Sequence, residues 1–284
     1  MSIASVFDRR GGMSGSLPPL EGSNGNSRLE GSNGNSIELT DIRKSFDGTT
    51  RVLDGITASI NDGAITTILG PSGTGKSVLL KHIVGLLEPD GGEVRVFGQD
   101  IWRISLAERY ELRKRFGVLF QDGALFGSMD LYDNVAFPLR KHTDRSESEI
   151  REIVMNHMRE VGLEAAIGKA PNEISGGMRK RAGLARALVM RPDVLLFDEP
   201  DSGLDPVRTK LLCELITQVH KEHGGTYIVI THDIASARTL SDYVGVLWQG
   251  KLVEYSEAQE AFDSEDPFVH QFLSGDAVGP LGMD

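Results

Sequence analysis

The stretch GPSGTGKS, Gly70 to Ser77, limits this chain more than any other part of it. It matches G-x-x-x-x-G-K-[ST] in full, follows the apolar run AITTIL (64–69) and leads into the helical pattern SVLLKHIVGLL. At average residue frequencies such a match arises about once in 30,000 positions, so a glycine-rich turn with no ligand is a poor account of it. Glycines that close a strand let backbone N–H groups turn inward on an anion, and the helix that follows adds its positive N-terminal end. Gly70, Ser72, Gly73 and Gly75 supply that cradle. Lys76 is placed to reach the β- and γ-phosphates of a nucleotide, and the Ser77 hydroxyl to ligate Mg2+.

A second stretch, DVLLFDEP, carries the complementary charge. Asp198 emerges from a buried apolar strand where it can hold Mg2+ directly or through water, and Glu199 beside it is suited to take a proton from an attacking water. A lone Asp-Glu pair after a strand is weak; paired with Gly70–Ser77 it is strong. Gln121 in LFQD ends a strand where its amide can touch both the metal and the water, and His232 in IVITHD can meet a γ-phosphate oxygen. SGLD, Ser202 to Asp205, follows the acidic pair, and Asp205 is counted with the nucleotide contacts. Phe46 in RKSFDG offers a flat face for adenine. Taken singly, Phe46 reads as core, Gln121 as surface and His232 as an ordinary strand-end histidine; beside the glycine loop the functional reading is favoured for each.

Around these motifs short apolar runs alternate with helical periodicity, which makes the class α/β. Expected strands are IELTDI, AITTIL, EVRVFG, GVLF (117–120), DVLLF (193–197), TYIVIT and YVGVLW, the second, fifth and sixth reading as strands covered on both faces. An early antiparallel part and a helical insertion from about 104 to 185 are expected, with Ile150, Ile153, Val154, Met158 and Val161 on one packing stripe. Residues 1–36 repeat LEGSNGNS and read as a disordered segment, with order from about Ile37. Residues 261–284 read as a tail. The 284 residues carry a net charge of −11, a poor footing for nucleic acid. The single cysteine, Cys213, allows no internal disulfide and reads as the buried face of a helix. No signal peptide and no apolar run of about 18 residues is visible, so any membrane role is exercised from the side.

Together these residues, with ISGGMRKRAGLARAL (174–188), resemble the nucleotide-binding subunit of ABC transporters over about 37–260. The resemblance implies a P-loop NTPase (RecA-like) core with an antiparallel β subdomain and a helical subdomain, using ATP and Mg2+. It implies a head-to-tail dimer of two copies, in which Ser175, Gly176 and Gly177 of one meet the γ-phosphate held by the other. A hydroxyl and backbone N–H groups at a helix N-terminus suit that task.

Met178 stands where many such subunits carry glutamine, which removes a side-chain amide but neither the hydroxyl nor the helix end. The segments SGGMRKRAGLARAL, VLFQDGALFGSMDLYDNVAFPLR and FVHQFLSGDAVGP resemble the ATPase of MCE (mammalian cell entry) lipid importers, and DEPDSGLDP, with Asp201 in place of a common threonine, its actinobacterial form. That branch implies a membrane permease and MCE-domain proteins as partners, a lipid or sterol cargo and a peripheral place on the cytoplasmic face of the plasma membrane. Permease docking is expected within Asp122 to Leu139. An importer of small solutes such as amino acids is the alternative, and a non-transport ATPase is disfavoured by the short spacing between loop and signature. His220 and His223 stand at i, i+3, but with no third ligand visible they read as a solvated helix face.

Overall fold

The computed structural model describes residues 35–280, all within the unit Gly31–Asp284. Residues 1–34, most of the segment read as disordered, lie outside the described residues. Order starts slightly earlier than expected, because β1 (Asn35–Ser45) already pairs Asn35 with Asn61.

Two sheets organise the chain. β1, β2 (Arg51–Asn61), β4 (Gly91–Val96) and β5 (Gln99–Asp100) form an antiparallel sheet in the order β2-β1-β4-β5. The second sheet has the order β10-β9-β3-β8-β7-β6. In it β3 (Ile65–Leu69), β6 (Phe116–Leu119), β7 (Val194–Asp198), β8 (Thr226–Ile230) and β9 (Tyr243–Trp248) run parallel, and β10 (Lys251–Glu257) closes one edge antiparallel.

The full burial of β3 and β8 has a direct cause. Side chains alternate across a strand, and both faces of this sheet are covered. Val194, Leu196, Ile228 and Ile230 join one core, against the antiparallel sheet and α1 (Lys76–Ile83). Leu195, Phe197, Tyr227 and Val229 join the other, against α3 (Leu131–His142), α4 (Glu147–Glu160), α5 (Gly176–Leu188) and α6 (Pro206–His223). The stripe of Ile150, Ile153, Val154, Met158 and Val161 is buried there, as is Cys213.

Some expectations shift. The span 104–185 contains helices α2 (Leu106–Arg113), α3, α4 and most of α5, but also β6, which pairs with β7 at the edge of the parallel sheet. Its register ends at Leu119, leaving Phe120 exposed. Past α7 (Ile234–Leu240) and α8 (Ala258–Phe262), the segment read as a tail holds α9 (Pro267–Ser274). Val269 and Leu273 of α9 pack with Val244 and Val246 of β9, and Phe268 stacks on Trp248 at 4.8 Å. No helix among the described residues is long and apolar enough to cross a membrane.

Candidate functional site

The glycine loop joins the C-terminal end of β3 to α1, and two of its glycines are required by the space around them. At Gly70, with φ 157°, a Cβ would lie 2.3 Å from the Leu247 carbonyl oxygen of β9. At Gly75, with φ 99°, it would lie 2.9 Å from the Val52 carbonyl oxygen of β2. The loop is thus held between the two sheets, and α1 starts directly behind it with Gly75 in the left-handed region. Lys76 is almost wholly buried, and its Nζ donates to the carbonyls of Gly70 at 2.7 Å and Pro71 at 2.8 Å. Burial pushes its ammonium pKa down, opposed by the charges of Glu199 and Asp198.

β8 separates β3 from β7 by one strand, so the ends of all three meet at one edge. The Ser77 hydroxyl donates to Asp198 Oδ1 at 3.0 Å. Burial, with the neighbouring Glu199 charge, raises the Asp198 carboxyl despite that hydrogen bond. Two hard oxygens, one a carboxylate poorly solvated by its surroundings, are a donor pair suited to Mg2+. Glu199 sits at φ 47°, in the left-handed region, and its N–H donates to the Ile230 carbonyl at 2.8 Å. His232, just past β8, brings Nδ1 to 3.7 Å from Glu199 Oε1. Ser77, Lys76, Asp198, Glu199 and His232 are therefore one cluster.

Two further residues, Lys180 and Thr231, unforeseen from sequence, hold this edge in shape with Ser202. Lys180 of α5 is buried and donates to the carbonyls of Pro200 at 2.8 Å and Ser202 at 2.5 Å. Thr231, beside His232, donates to both carboxylate oxygens of Asp201, at 2.8 and 2.9 Å. Ser202 accepts from the Gln121 amide at 2.9 Å, so Gln121 is tied here to the segment after Glu199. Asp201 is nearly buried rather than open at a surface, and burial raises its carboxyl against the Thr231 hydrogen bond. No local pattern marks Lys180 or Thr231, because their partners lie 20 and 30 residues away.

Ser175 caps α5, its hydroxyl accepting from the Met178 N–H at 3.3 Å, while the Met178 side chain packs against the helical core. Met178 thus serves the cap through its backbone, which any residue supplies. Among the described residues no hydrogen bond joins Ser175, Gly176 or Gly177 to the loop Gly70–Ser77. Phe46 lies in the turn between β1 and β2, is 64% exposed and has Lys44 Nζ 5.9 Å from its ring centre. Asp205 caps α6, accepting from the N–H groups of Val207 at 3.1 Å and Arg208 at 3.0 Å. A nucleotide contact by Asp205 has to be made beside this capping role.

The paired histidines turn to different partners. His220 turns to the carbonyls of Gly63 and Gly225, 3.1 Å from its Nε2, and meets Tyr227 edge-on. His223 faces a third and fourth residue, Glu160 and His157, from α4.

Comparison with known proteins agrees with this geometry. The family described as ABC transporter matches residues 53–202. The "probable ribonucleotide transport ATP-binding protein mkl" of Mycobacterium tuberculosis is 53% identical over 248 residues, 87% of this chain and 69% of that protein. The "intermembrane phospholipid transport system ATP-binding protein MlaF" of Escherichia coli K12 is 41% identical over 234 residues, 82% of this chain and 87% of that one. Among solved structures, the dimeric ATP-binding cassette MJ0796 in a post-hydrolysis state with ADP and Pi aligns with a TM-score of 0.72 and 28% identity. The match covers 78% of this chain and 98% of that one.

Proposed function

The chain belongs to the ABC transporter family of ATP-hydrolysing cassettes, and from that premise we propose that it is the ATPase subunit of an MCE-type importer of lipids or sterols. The observation that carries the chemistry is the junction of Ser77 with Asp198, beside a left-handed Glu199 and His232.

In the proposed reaction the loop Gly70–Gly75 and the N-terminal end of α1 cradle the phosphates of ATP, and Lys76 moves from the loop carbonyls to the β- and γ-phosphates. Ser77, Asp198 and Gln121 are the residues that would hold Mg2+, whose charge neutralises the phosphate oxygens. Glu199 accepts the proton of the attacking water, and His232 orients beside it toward the γ-phosphate. Phe46 stacks on adenine from the exposed turn. The capped end of α5, with Ser175, Gly176 and Gly177, and Asp205 nearby, serves a nucleotide held by a second copy. This pairing is supported by the dimeric form of the similar cassette MJ0796. We assign the cassette to about 37–260, its helical subdomain to about 104–185 with permease docking within Asp122 to Leu139, and its working place to the cytoplasmic face of the membrane.

The lipid cargo is supported by the names of the MlaF relatives and by the Met178-type signature. The name of the mkl relative, ribonucleotide transport, favours the alternative of a small-solute importer. Gentle solubilisation of membranes holding the tagged chain, with mass spectrometry of what co-purifies, decides between them. A permease with MCE-domain subunits is expected; a permease with a soluble solute-binding protein would reverse the cargo assignment, and ribosomal or chromosomal partners the transport reading.

A further inference from the structure

His157 and Glu160 stand one turn apart near the end of α4, and His223 is the last residue of α6. Their ligand atoms all lie within 4.8 Å of one another. His157 Nδ1 is 2.8 Å from Glu160 Oε2, and His223 Nε2 is 3.3 Å from the same oxygen. The two rings face each other at 5.6 Å between centres.

We propose that His157, Glu160 and His223 form a binding site for a Zn2+-class transition-metal ion that clamps α4 to α6. The donor set selects the metal class. Two imidazole nitrogens and one carboxylate suit Zn2+ and its borderline-soft neighbours, whereas Mg2+ and Ca2+ require more oxygens than are present. The spacing is close to what is needed. Bond lengths of about 2.0–2.2 Å place tetrahedral ligand atoms roughly 3.3 Å apart. The separation of 3.3 Å from His223 already meets this, and that of 2.8 Å from His157 needs an opening of about half an ångström.

The surroundings support the same reading. His157 is fully buried with Nδ1 turned to the shared carboxylate, so an ion bound there displaces the Nδ1 proton and leaves the ring N–H on Nε2, which has no hydrogen-bond partner among the described residues. The Tyr227 hydroxyl, which feels the charge of Glu160, is also buried without a hydrogen-bond partner among the described residues. The Glu160 carboxylate supplies the oxygen that both histidines share. His223 retains 23% side-chain exposure, which gives an ion its way in and a water its place as fourth ligand.

The site is separate from Ser77 and Asp198, and its test does not depend on the transport reading. The tag-free full chain, stripped with chelator and without nucleotide, is titrated calorimetrically with ZnCl2 and followed in parallel by Co2+ absorption. One Zn2+ per chain and a Co2+ spectrum of tetrahedral intensity are expected. His223→Ala and Glu160→Gln should each weaken binding by more than about tenfold, and Asp198→Asn should leave it unchanged. Absence of stoichiometric binding overturns the proposal, as does binding that survives His223→Ala or is lost in Asp198→Asn. Circular dichroism checks the fold of each variant; should Glu160→Gln fail to fold, His223→Ala at the half-open helix end decides alone.

Discussion

Asp198 shows how a single residue is held against its own solvation preference. Burial and the Glu199 charge raise its pKa, so its folded-state value exceeds the unfolded one and the ionised form costs stability at neutral pH. Removing that charge should relieve the cost. We expect Asp198→Asn to raise Tm by about 2 °C in the absence of Mg2+ and nucleotide while abolishing Mg2+-dependent ATPase. Calorimetry and a phosphate-release assay check both; a lowered Tm would mean that the Ser77 bond outweighs the burial. At Glu199 the expectation is functional alone. Glu199→Gln keeps the shape but loses the proton acceptor, so hydrolysis should fall by roughly 10²–10⁴-fold with ATP binding intact. Turnover at the wild-type rate would remove Glu199 as the base. These residues were legible because the glycine loop and the Asp-Glu pair are contiguous in sequence. Lys180 and Thr231 were not, since each acts on a backbone or carboxylate brought close only by the fold.

At the scale of elements the signal depends on how much of a strand is covered. β3, β7 and β8 were readable because burial on both faces removes the alternation of apolar with charged residues. β2 escaped because Gly55 and the bulges of its pairing with β1 break the alternation of Leu53, Ile56, Ala58 and Ile60. β10 escaped because, as an edge strand, it buries little and carries Lys251 and Glu254. The helices show the opposite limit, since α4 was legible as a stripe while its His157–Glu160 face had meaning only beside α6. That joint has a pH signature. Glu160 falls from 4.5 to about 2 on folding, so it contributes stability above pH 4.5 that is lost as pH falls towards 2. In chelator, the urea midpoint of the native chain should drop more between pH 5 and 3 than that of Glu160→Gln. Equal slopes would show that the histidines do not favour the ionised carboxylate. The loop has its own element-scale test. Gly70→Ala forces a Cβ onto the Leu247 carbonyl and should destabilise the chain by more than about 1 kcal/mol, with ATP binding lost in a fluorescent-nucleotide assay.

The whole molecule leaves its two anion-directed ends apart. The glycine loop lies against the Asp198 edge, whereas the capped end of α5 makes no hydrogen bond to it among the described residues. On the proposed pairing one copy holds half of each site, and two copies arranged head to tail make both sites whole. This arrangement predicts complementation. A chain with Lys76→Ala cannot hold phosphate in its own loop, and one with Ser175→Arg cannot serve the loop of its partner. Each alone should form dimers with no working site. In a mixed dimer the loop of the Ser175→Arg copy meets the intact Ser175 of the Lys76→Ala copy, giving one good site of two. With random pairing half the dimers are mixed, so an equal mixture should regain about a quarter of native activity. A phosphate-release assay on the separate and mixed chains reads this directly. Activity of Ser175→Arg alone at the native level would show that a single chain completes its own site, and a mixture as inactive as its parts would exclude the head-to-tail pairing.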